Sequence, residues 1–456
     1  MKKYRILSGL TAFLVLLSLC VLPAAALDDP EANCGAAVVV DGDYGDVLYD
    51  HNAHERMYPA SITKVMTSLL VMEAIARGRL SLDQQITASP AAVALPEGSS
   101  TADPAIQAGE ILTVEELLYC DLVSSANEAC NILAETVGGS VSGFVDMMNA
   151  KARELGMDDT HFANPNGLHD ENHYTTAYDI YLMCRAAMEY ETFRAIVSTA
   201  KHVVPATNLA KERTLYTTNA LLDSWKIAGY TYSKAIGIKT GFTTPAGYCL
   251  ASAAVDGDGR TYYCVVLGAE TVKNSDGSTT RYSFRESKRL LEWAFDNFRR
   301  VTLLDESDTR AIREVPVTLS DDSDHVTVQP HGSIEATMPK DYDSSKLEFQ
   351  IDCVDSVEAP VEAGQKLGTV TLVYNGTAYG TLDMTAAYGV ARSDFLYYVK
   401  TAKDYLSLWW VKALIVLAVV LILTLIIWLA VIRPRNKRRR RYSRSGSRRY
   451  SGRRRM

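Results

Sequence analysis

Recognisable metal-binding and redox motifs are missing from this sequence of 456 residues. Its eight histidines include no His-Glu-x-x-His or comparable ligand spacing, so the sequence indicates neither a metal nor another cofactor. Its eight cysteines include no Cys-x-x-Cys pair, and the number becomes odd if Cys20 leaves with a signal peptide. A chain of this length can build a core without disulfides. We therefore interpret most cysteines as small buried side chains rather than as a disulfide framework.

Acidic side chains are absent from the end of the chain. From Arg433 onward there are 13 Lys or Arg residues and no Asp or Glu, and we expect this tail to rest on anionic lipid. RNA binding is the less favoured alternative for the tail. Of the 47 basic and 54 acidic residues in the whole chain, residues 1–432 hold 34 and 54, a net charge of −20. A body this acidic argues against nucleic acid as its partner.

Two long apolar stretches lie near the ends of the chain. Residues 1–26 have the composition of a secretory signal peptide, with basic residues, an apolar run and then small residues, and we expect cleavage before Leu27. Residues 413–432 carry no charge and, at about 1.5 Å per residue, can cross a bilayer; a buried core helix is the less favoured alternative. The positive-inside rule then predicts a single-pass cell-membrane protein with its tail, residues 433–456, in the cytoplasm and its body outside.

The exported body is predicted to contain two domains. Residues 34–303 have short strands near both ends and a largely helical middle, which predicts an α+β fold: an antiparallel sheet flanked by helices, with a helical insert. Residues 309–393 alternate short β-type runs with turn residues, and their Asn375-Gly376 pair is a strong hairpin signal. This pattern predicts a small all-β domain. Residues 394–412 form a connector, rich in aromatic residues, to the transmembrane helix.

One segment combines a helix start with a candidate nucleophile and base. The apolar residues that follow Pro59 recur at helical spacing, which predicts a buried helix with Ser61 in its first turn and Lys64 on the same face. A serine hydroxyl needs a base beside it, and a lysine can serve if burial and a second cation lower its pKa by about three units. Because Ser-x-x-Lys recurs from Ser198 to Lys201, the pattern alone has low specificity.

Two further motifs lie downstream of this segment. Ser125 and Asn127 bring together a hydroxyl and an amide 64 residues beyond Ser61, although Ser-x-Asn is also common in turns. The chain's only Lys-Thr-Gly, residues 239–241, begins 178 residues beyond Ser61 in a β-branched run. A strand lysine is ordinarily a solvated edge charge, but the glycine that ends this motif would let another backbone approach closely.

In combination, the three motifs resemble the signature set of penicillin-binding proteins and serine β-lactamases. More specifically, the chain resembles the serine-type D-alanyl-D-alanine carboxypeptidases, which are low-molecular-mass penicillin-binding proteins. Supporting stretches are residues 59–67, 164–168, 173–177 and 239–250, and the resemblance covers about residues 36–298 closely. It implies the transpeptidase-like fold of that group. A membrane-spanning anchor differs from the amphipathic helix that ends many relatives.

The resemblance also implies catalytic roles for individual residues. Ser61 is expected to be the nucleophile that forms an acyl-enzyme, and Lys64 is expected to be its general base. Ser125 would relay a proton to the leaving amine. The backbone N–H groups of Ser61 and Phe242 would form the oxyanion hole.

Substrate-binding roles follow from the same resemblance. Asn127 would hold the substrate amide, and Lys239 with Thr240 would bind the terminal carboxylate. Gly241 and Phe242 complete the expected binding strand, along whose edge the substrate would lie as an added strand.

The implied activity is removal of the terminal D-Ala from peptidoglycan pentapeptide stems, with β-lactams as covalent inhibitors. A serine β-lactamase is one alternative, but it needs a water activator, and no Glu-x-x-Leu-Asn stretch follows Ser125. Endopeptidase or transpeptidase activity on peptidoglycan cross-links is a closer alternative. A non-enzymatic, membrane-tethered wall-binding protein is the third. The expected partners are therefore stem peptides, β-lactams and the cell membrane, without nucleic acid.

Overall fold

The computed structural model describes residues 30–432. The predicted signal peptide, residues 1–26, and the predicted tail, residues 433–456, lie outside the described residues. Two compact units divide the chain: the first runs to Val301 and includes Glu335–Tyr342, and the second comprises Thr302–Ile334 and the chain from Asp343 onward.

Strands occur in both units. In chain order they are β1 (Ala36–Asp41), β2 (Val47–His51), β3 (Gln85–Thr87), β4 (Ile111–Thr113), β5 (Lys201–Val204), β6 (Arg213–Tyr216), β7 (Ala235–Thr243), β8 (Gly247–Val255), β9 (Thr261–Ala269), β10 (Thr271–Lys273), β11 (Thr279–Arg281), β12 (Phe298–Leu304), β13 (Arg313–Thr318), β14 (His325–His331), β15 (Ile334–Pro339), β16 (Leu347–Cys353), β17 (Val357–Glu358), β18 (Lys366–Tyr374) and β19 (Thr377–Ala386).

Most of the α-helices of the described residues lie between β2 and β7 along the chain. In chain order the α-helices are α1 (Lys64–Ala76), α2 (Val114–Leu122), α3 (Asn127–Gly138), α4 (Val141–Glu154), α5 (Ala177–Met188), α6 (Glu191–Val197), α7 (Tyr282–Asn297), α8 (Asp394–Ser407) and α9 (Trp409–Ile427).

A five-stranded antiparallel sheet forms the centre of the first unit. Its strand order is β2-β1-β9-β8-β7, so strands from both ends of the unit's sequence lie side by side. The six helices α1–α6 are inserted between β2 and β7 along the chain. This is the predicted antiparallel sheet flanked by helices. It leaves β7, which carries residues 239–241, at the edge of the sheet with one side free of strand partners among the described residues.

Apolar side chains cover both faces of this sheet. In β1, Val38 and Val40 pack into the cluster formed with α1 and the inserted helices, whereas Val39 packs into the cluster formed with α7. Successive strand side chains point to opposite faces, so a strand buried on both faces requires a continuous apolar run. The run Ala36–Val40 satisfies that requirement, and every one of its residues is buried.

The helix starts follow local capping chemistry. Thr113 caps α2: its hydroxyl accepts a hydrogen bond from the Glu116 N–H, and the Glu116 carboxylate accepts one from the Thr113 N–H. Thr176 caps α5, as its position three residues before Asp179 predicts, by accepting a hydrogen bond from the Asp179 N–H. These caps satisfy N–H groups that have no partner inside the helix.

The second unit contains a six-stranded sheet and the C-terminal helices. The sheet order is β16-β18-β19-β14-β13-β17. Asn375 and Gly376 have φ angles of 48° and 83° in the turn that joins β18 to β19, so the predicted hairpin is present. Beyond α8, the residues Trp409–Ala430 form the one helix among the described residues that is long and apolar enough to span a membrane, and none of its apolar stretch is buried.

Candidate active site

Ser61 lies at the start of the buried helix, but in a tighter turn than predicted. Residues Ala60–Thr63 form a 3₁₀ turn, and the α-helix α1 begins only at Lys64. The Lys64 side chain reaches back along this turn, so that its Nζ lies 3.1 Å from the Ser61 Oγ. Ser61 is half-buried and faces a cleft, whereas Lys64 is fully buried.

Two fixed acceptors orient the amine of Lys64. Its Nζ donates to the Asn127 Oδ1 at 2.7 Å and to the Asn166 carbonyl oxygen at 2.8 Å. An uncharged amine has two N–H donors and one lone pair. With both donors engaged, the lone pair is left to accept the Ser61 hydroxyl proton, which is the geometry of a general base.

The burial of Lys64 favours its uncharged form. Removal from water lowers the pKa of Lys64, and the neighbouring Cys130, Asp121 and Glu128 oppose this lowering. Lys64 in turn lowers the pKa of the buried Lys239. The predicted burial of Lys64 is therefore present, whereas a lowering of its pKa by a second cation stays a prediction.

His173 stabilises the 3₁₀ turn through a hydrogen bond with Thr63. Its Nδ1 accepts a hydrogen bond from the Ala163 N–H, so its Nε2 carries the proton and donates to the Thr63 Oγ1 at 2.8 Å. The Thr63 hydroxyl in turn donates to the Ala60 carbonyl oxygen. Burial lowers the pKa of His173 to about 4, so this histidine stays neutral at physiological pH and serves as a fixed donor.

Gly167 fits directly against the same turn. It has a φ of 83°, and a Cβ atom built on it would lie 1.9 Å from the Ala60 carbonyl oxygen. Asn164 holds the loop around it, because the Asn164 Oδ1 accepts from the Gly167 N–H and its Nδ2 donates to the Leu168 carbonyl oxygen. This loop also supplies the Asn166 carbonyl that orients Lys64.

The Ser125–Asn127 motif forms one wall of the cleft that Ser61 faces. Ser125 is buried and has a φ of 65°, in the left-handed region that costs a non-glycine residue about 1–2 kcal/mol. Asn127 opens α3, and its N–H donates to the Ser100 carbonyl oxygen. Since the Asn127 Oδ1 is engaged by Lys64, its NH₂ group is the part of the amide available to a ligand.

Strand β7 supplies the other wall. The Thr240 Oγ1 lies 2.6 Å from the Thr218 Oγ1, and both threonines line the cleft. Lys239 is only 1 % exposed, and its Nζ donates to the Thr240 carbonyl oxygen at 3.1 Å, so its amine lies beneath the cleft surface rather than on it. A Cβ atom on Gly241 would lie 3.1 Å from the Ser61 nitrogen, which shows how closely β7 approaches Ser61.

The cleft between these walls has a volume of about 520 Å³. Phe242 forms part of its lining and is 52 % exposed, with its ring 4.4 Å from that of Tyr248. Sequence reasoning missed several lining residues because they carry no recognisable motif: Ser99, Ser100, Thr218, Ile227, Arg281, Ser283 and Phe284.

Comparisons with known proteins identify the group to which this site belongs. A family model described as D-alanyl-D-alanine carboxypeptidase matches residues 24–271. The chain belongs to this family. D-alanyl-D-alanine carboxypeptidase DacF of Bacillus subtilis is 32 % identical over 365 residues, with 80 % of this chain and 88 % of DacF covered. DacC of Escherichia coli is 29 % identical over 386 residues, with 82 % and 88 % covered.

Solved structures of the carboxypeptidase family share the fold. Penicillin binding protein 5 of Haemophilus influenzae matches with a TM-score of 0.62 at 27 % identity, covering 80 % of this chain and all of that one. The D-alanyl-D-alanine carboxypeptidase DacD of Francisella tularensis matches with a TM-score of 0.61 at 27 % identity, covering 82 % and 100 %. The resemblance to low-molecular-mass penicillin-binding proteins is therefore confirmed.

The second Ser-x-x-Lys pattern lies outside this carboxypeptidase site. Ser198 follows α6, and its hydroxyl donates to the Ala195 carbonyl oxygen. Lys201 is exposed, and its amine lies over the Tyr216 ring. The pattern here closes a helix and does not pair a hydroxyl with a buried amine.

The seven cysteines of the described residues form no disulfide. Five of them are buried, whereas Cys34 and Cys353 are half-buried. Among residues 30–432, no group of three or more His, Cys, Asp or Glu side chains is placed to hold a metal ion.

We predict that Gly167→Ala disables the site, because its methyl group would collide with the backbone that positions Ser61. The expected destabilisation is about 3 kcal/mol or more, from overpacking added to left-handed strain, measured as the loss of unfolding free energy in urea. Labelling by a fluorescent penicillin should also fall. Gly156→Ala is the matched control: its φ is 75°, but an added Cβ meets nothing within 4 Å, so it should cost only about 1–2 kcal/mol. Equal effects of the two substitutions would contradict the role given to Gly167.

Proposed function

We propose that this protein removes the terminal D-alanine from peptidoglycan pentapeptide stems, through an acyl-enzyme on Ser61. The contact that carries the proposal is the 3.1 Å approach of the Lys64 Nζ to the Ser61 Oγ, with both other donors of the amine engaged. Membership of the carboxypeptidase family supports the same reaction.

In the first step, the Ser61 oxygen attacks the carbonyl carbon of the penultimate D-alanine while Lys64 takes the hydroxyl proton. The N–H groups of Ser61 and Phe242 stabilise the negative oxygen that develops, since fixed donors act strongly where charge appears. The C–N bond then breaks, and the leaving amine of D-alanine receives the proton through Ser125. The product is an ester between Ser61 and the shortened stem.

In the second step, water hydrolyses the ester. Its proton passes to Lys64, its oxygen attacks the ester carbon, and the Ser61 oxygen leaves with the proton. Penicillins follow the first step, but the broken amide stays attached to the rest of the molecule. The leaving amine therefore cannot diffuse away, and the acyl-enzyme persists.

The cleft accounts for selection of a free C-terminus. The substrate lies along the free edge of β7 as an added strand, its amide held by the NH₂ group of Asn127. Thr240 and Thr218 contact the terminal carboxylate at the cleft surface, and the Lys239 ammonium attracts it from beneath. This arrangement favours an exopeptidase.

The C-terminal segment anchors the enzyme to the cell membrane. We infer that residues 413–432, within the apolar helix that starts at Trp409, cross the bilayer, which places the catalytic unit outside and the basic tail in the cytoplasm. The sheet of the second unit supports assignment of residues 309–393 to a separate small β domain that acts as a spacer above the membrane.

Replacement of the nucleophile is the first test. Ser61→Ala should abolish both covalent penicillin labelling, observed as a mass increase of the intact protein, and D-alanine release from a pentapeptide. Ser198→Ala, in the second Ser-x-x-Lys pattern, should leave both unchanged. Covalent labelling of the Ser61 variant would show that the nucleophile is another residue.

Replacement of Lys239 tests the recognition of the terminal carboxylate. Lys239→Ala should lower kcat/KM by about a hundredfold for a pentapeptide with a free C-terminus, because a buried charge that faces the carboxylate is lost. A C-terminally amidated peptide should lose much less. The exposed Lys273→Ala serves as the control, with kcat/KM unchanged for both peptides. Equal losses on the two peptides with Lys239→Ala would contradict the assignment.

Truncation tests the anchor. A chain that ends at Leu408 should leave the membrane fraction and keep its penicillin-labelling activity, because the apolar helix has been removed while the catalytic unit is intact. A chain that lacks only residues 433–456 should remain in the membrane. Retention of the shorter chain in the membrane would assign anchoring to another segment.

A further inference from the structure

A second polar layer lies beneath the Ser61–Lys64 pair. Ser68 is one helical turn beyond Lys64 on α1, and its hydroxyl donates to the Asp121 Oδ2 at 3.0 Å. Asp121 is in the last turn of α2 and is completely buried. Its other carboxylate oxygen, Oδ1, has no hydrogen-bond partner among the described residues. A buried acid with one unpartnered oxygen is costly, and burial on this scale calls for a compensating charge nearby.

The layer is attached to the elements that hold the active site. Cys130, one turn beyond Asn127 on α3, lies beside the Asp121 carboxylate and donates its thiol hydrogen to the Pro165 carbonyl oxygen at 2.9 Å. Pro165 precedes Asn166, whose carbonyl oxygen orients Lys64. Asp121 therefore occupies the junction of α1, α2 and α3 directly behind the reacting groups.

Two buried amines lie within electrostatic range of this carboxylate. Lys64 and Lys239 both interact electrostatically with Asp121, and both are almost completely buried. The mechanism needs one of them uncharged, as the base, and the other charged, for the substrate carboxylate. One buried anion neutralises one buried ammonium, whereas a pair of ammonium groups would leave an uncompensated positive charge in the core.

We propose that Asp121 is a positioning residue for the acylation reaction: its buried carboxylate holds one proton on the Lys64–Lys239 pair, so that one amine acts as base while the other remains ammonium. This inference rests on the function proposed above. It assigns to Asp121 no contact with substrate, because Asp121 acts through the two lysines.

The directions of the pKa shifts of Lys64, Lys239 and Asp121 agree with this role. Burial lowers the pKa of both lysines, and Asp121 opposes this lowering in each case. Burial raises the pKa of Asp121, while Lys64, Ser68, Lys239 and Cys130 lower it. Two other charged groups face the pair: Glu128 raises the pKa of Lys64, and Lys226 lowers that of Lys239. Glu128 and Lys226 each act on one lysine, whereas Asp121 acts on both, and so does the neighbouring Cys130 thiol.

The test is the pH dependence of acylation, measured as the second-order rate of labelling by a penicillin. Activity rises as the base amine loses its proton and falls as the ammonium loses its proton, which gives a bell-shaped profile of the coupled pair. Asp121→Asn removes the negative charge and lowers both apparent pKa values. Both limbs of the profile should therefore move to lower pH, by about one unit.

Matched variants separate the effect of the Asp121 charge from the effect of a change in packing. Asp121→Leu should move both limbs in the same direction as Asp121→Asn, because each removes the charge. Ser68→Ala keeps the carboxylate and should move the limbs much less. Asp41→Asn replaces another completely buried carboxylate, one that accepts hydrogen bonds in the turn after β1, and should leave the profile in place.

The outcomes distinguish this inference from the proposed function. A folded Asp121 variant that loses rate equally at every pH, with both limbs unmoved, would overturn the role of Asp121 while leaving the carboxypeptidase assignment intact. Absence of Ser61-dependent labelling in the unmodified enzyme would instead remove the proposed function itself.

A measurement on the unmodified enzyme covers the case in which neither Asp121 variant folds. The infrared spectrum should show no buried protonated carboxyl group at the pH optimum of acylation, and one should appear as the pH falls below the acid limb. A protonated buried carboxyl group that persists through the optimum, and that remains in the Glu128→Gln and Asp41→Asn variants, would overturn the inference, because a neutral Asp121 cannot compensate an ammonium.

Discussion

The removal of the Lys64 amine from water is the constraint on which the active site depends. A lysine in solvent keeps its proton and is useless as a base at neutral pH. Lys64 instead lies at the start of a largely buried helix, and its Nζ has two oxygen acceptors besides the Ser61 hydroxyl. Those acceptors come from α3 and from the loop that contains Gly167, so three separate parts of the chain must pack together to hold the Lys64 amine beside the Ser61 hydroxyl.

The central sheet places strand β7 beside Ser61. Because β7 lies at the sheet edge, one of its sides has no strand partner among the described residues, while its other side pairs with β8. Gly241 allows this strand to run almost against the Ser61 nitrogen. Close backbone packing thus brings Ser61 and β7 together.

Burying two lysines in one site has an energetic consequence that extends beyond the reacting atoms. Each buried ammonium is expensive in a low-dielectric interior, and two near each other repel. The Asp121 carboxylate offsets part of this cost, while the neutral His173 supports the turn without adding a charge. The layer behind the active site is therefore an electrostatic support as well as a packing layer.

Local periodicity was sufficient to predict the antiparallel sheet with its helical insert, and the resemblance of three motifs to a known family predicted the roles of Ser61, Lys64 and Lys239, which stay predictions. The prediction of the sheet rests on local periodicity. The predictions of the site rest on three short motifs that occur together in a specific order. Sequence did not reveal that Ser61 would lie in a 3₁₀ turn, that Lys239 would lie beneath the cleft, or that the Asn166 carbonyl would orient Lys64. A backbone carbonyl leaves no signature in residue identity, and this one is 102 positions from its partner. The sequence also did not reveal the burial of Asp121. An acid in an apolar helix can face solvent or the core, and only the packing of the neighbouring helices decides which. The sequence by itself thus determined which chemical groups are present and in what order, whereas tertiary packing decided their distances and exclusion from water, and hence their protonation.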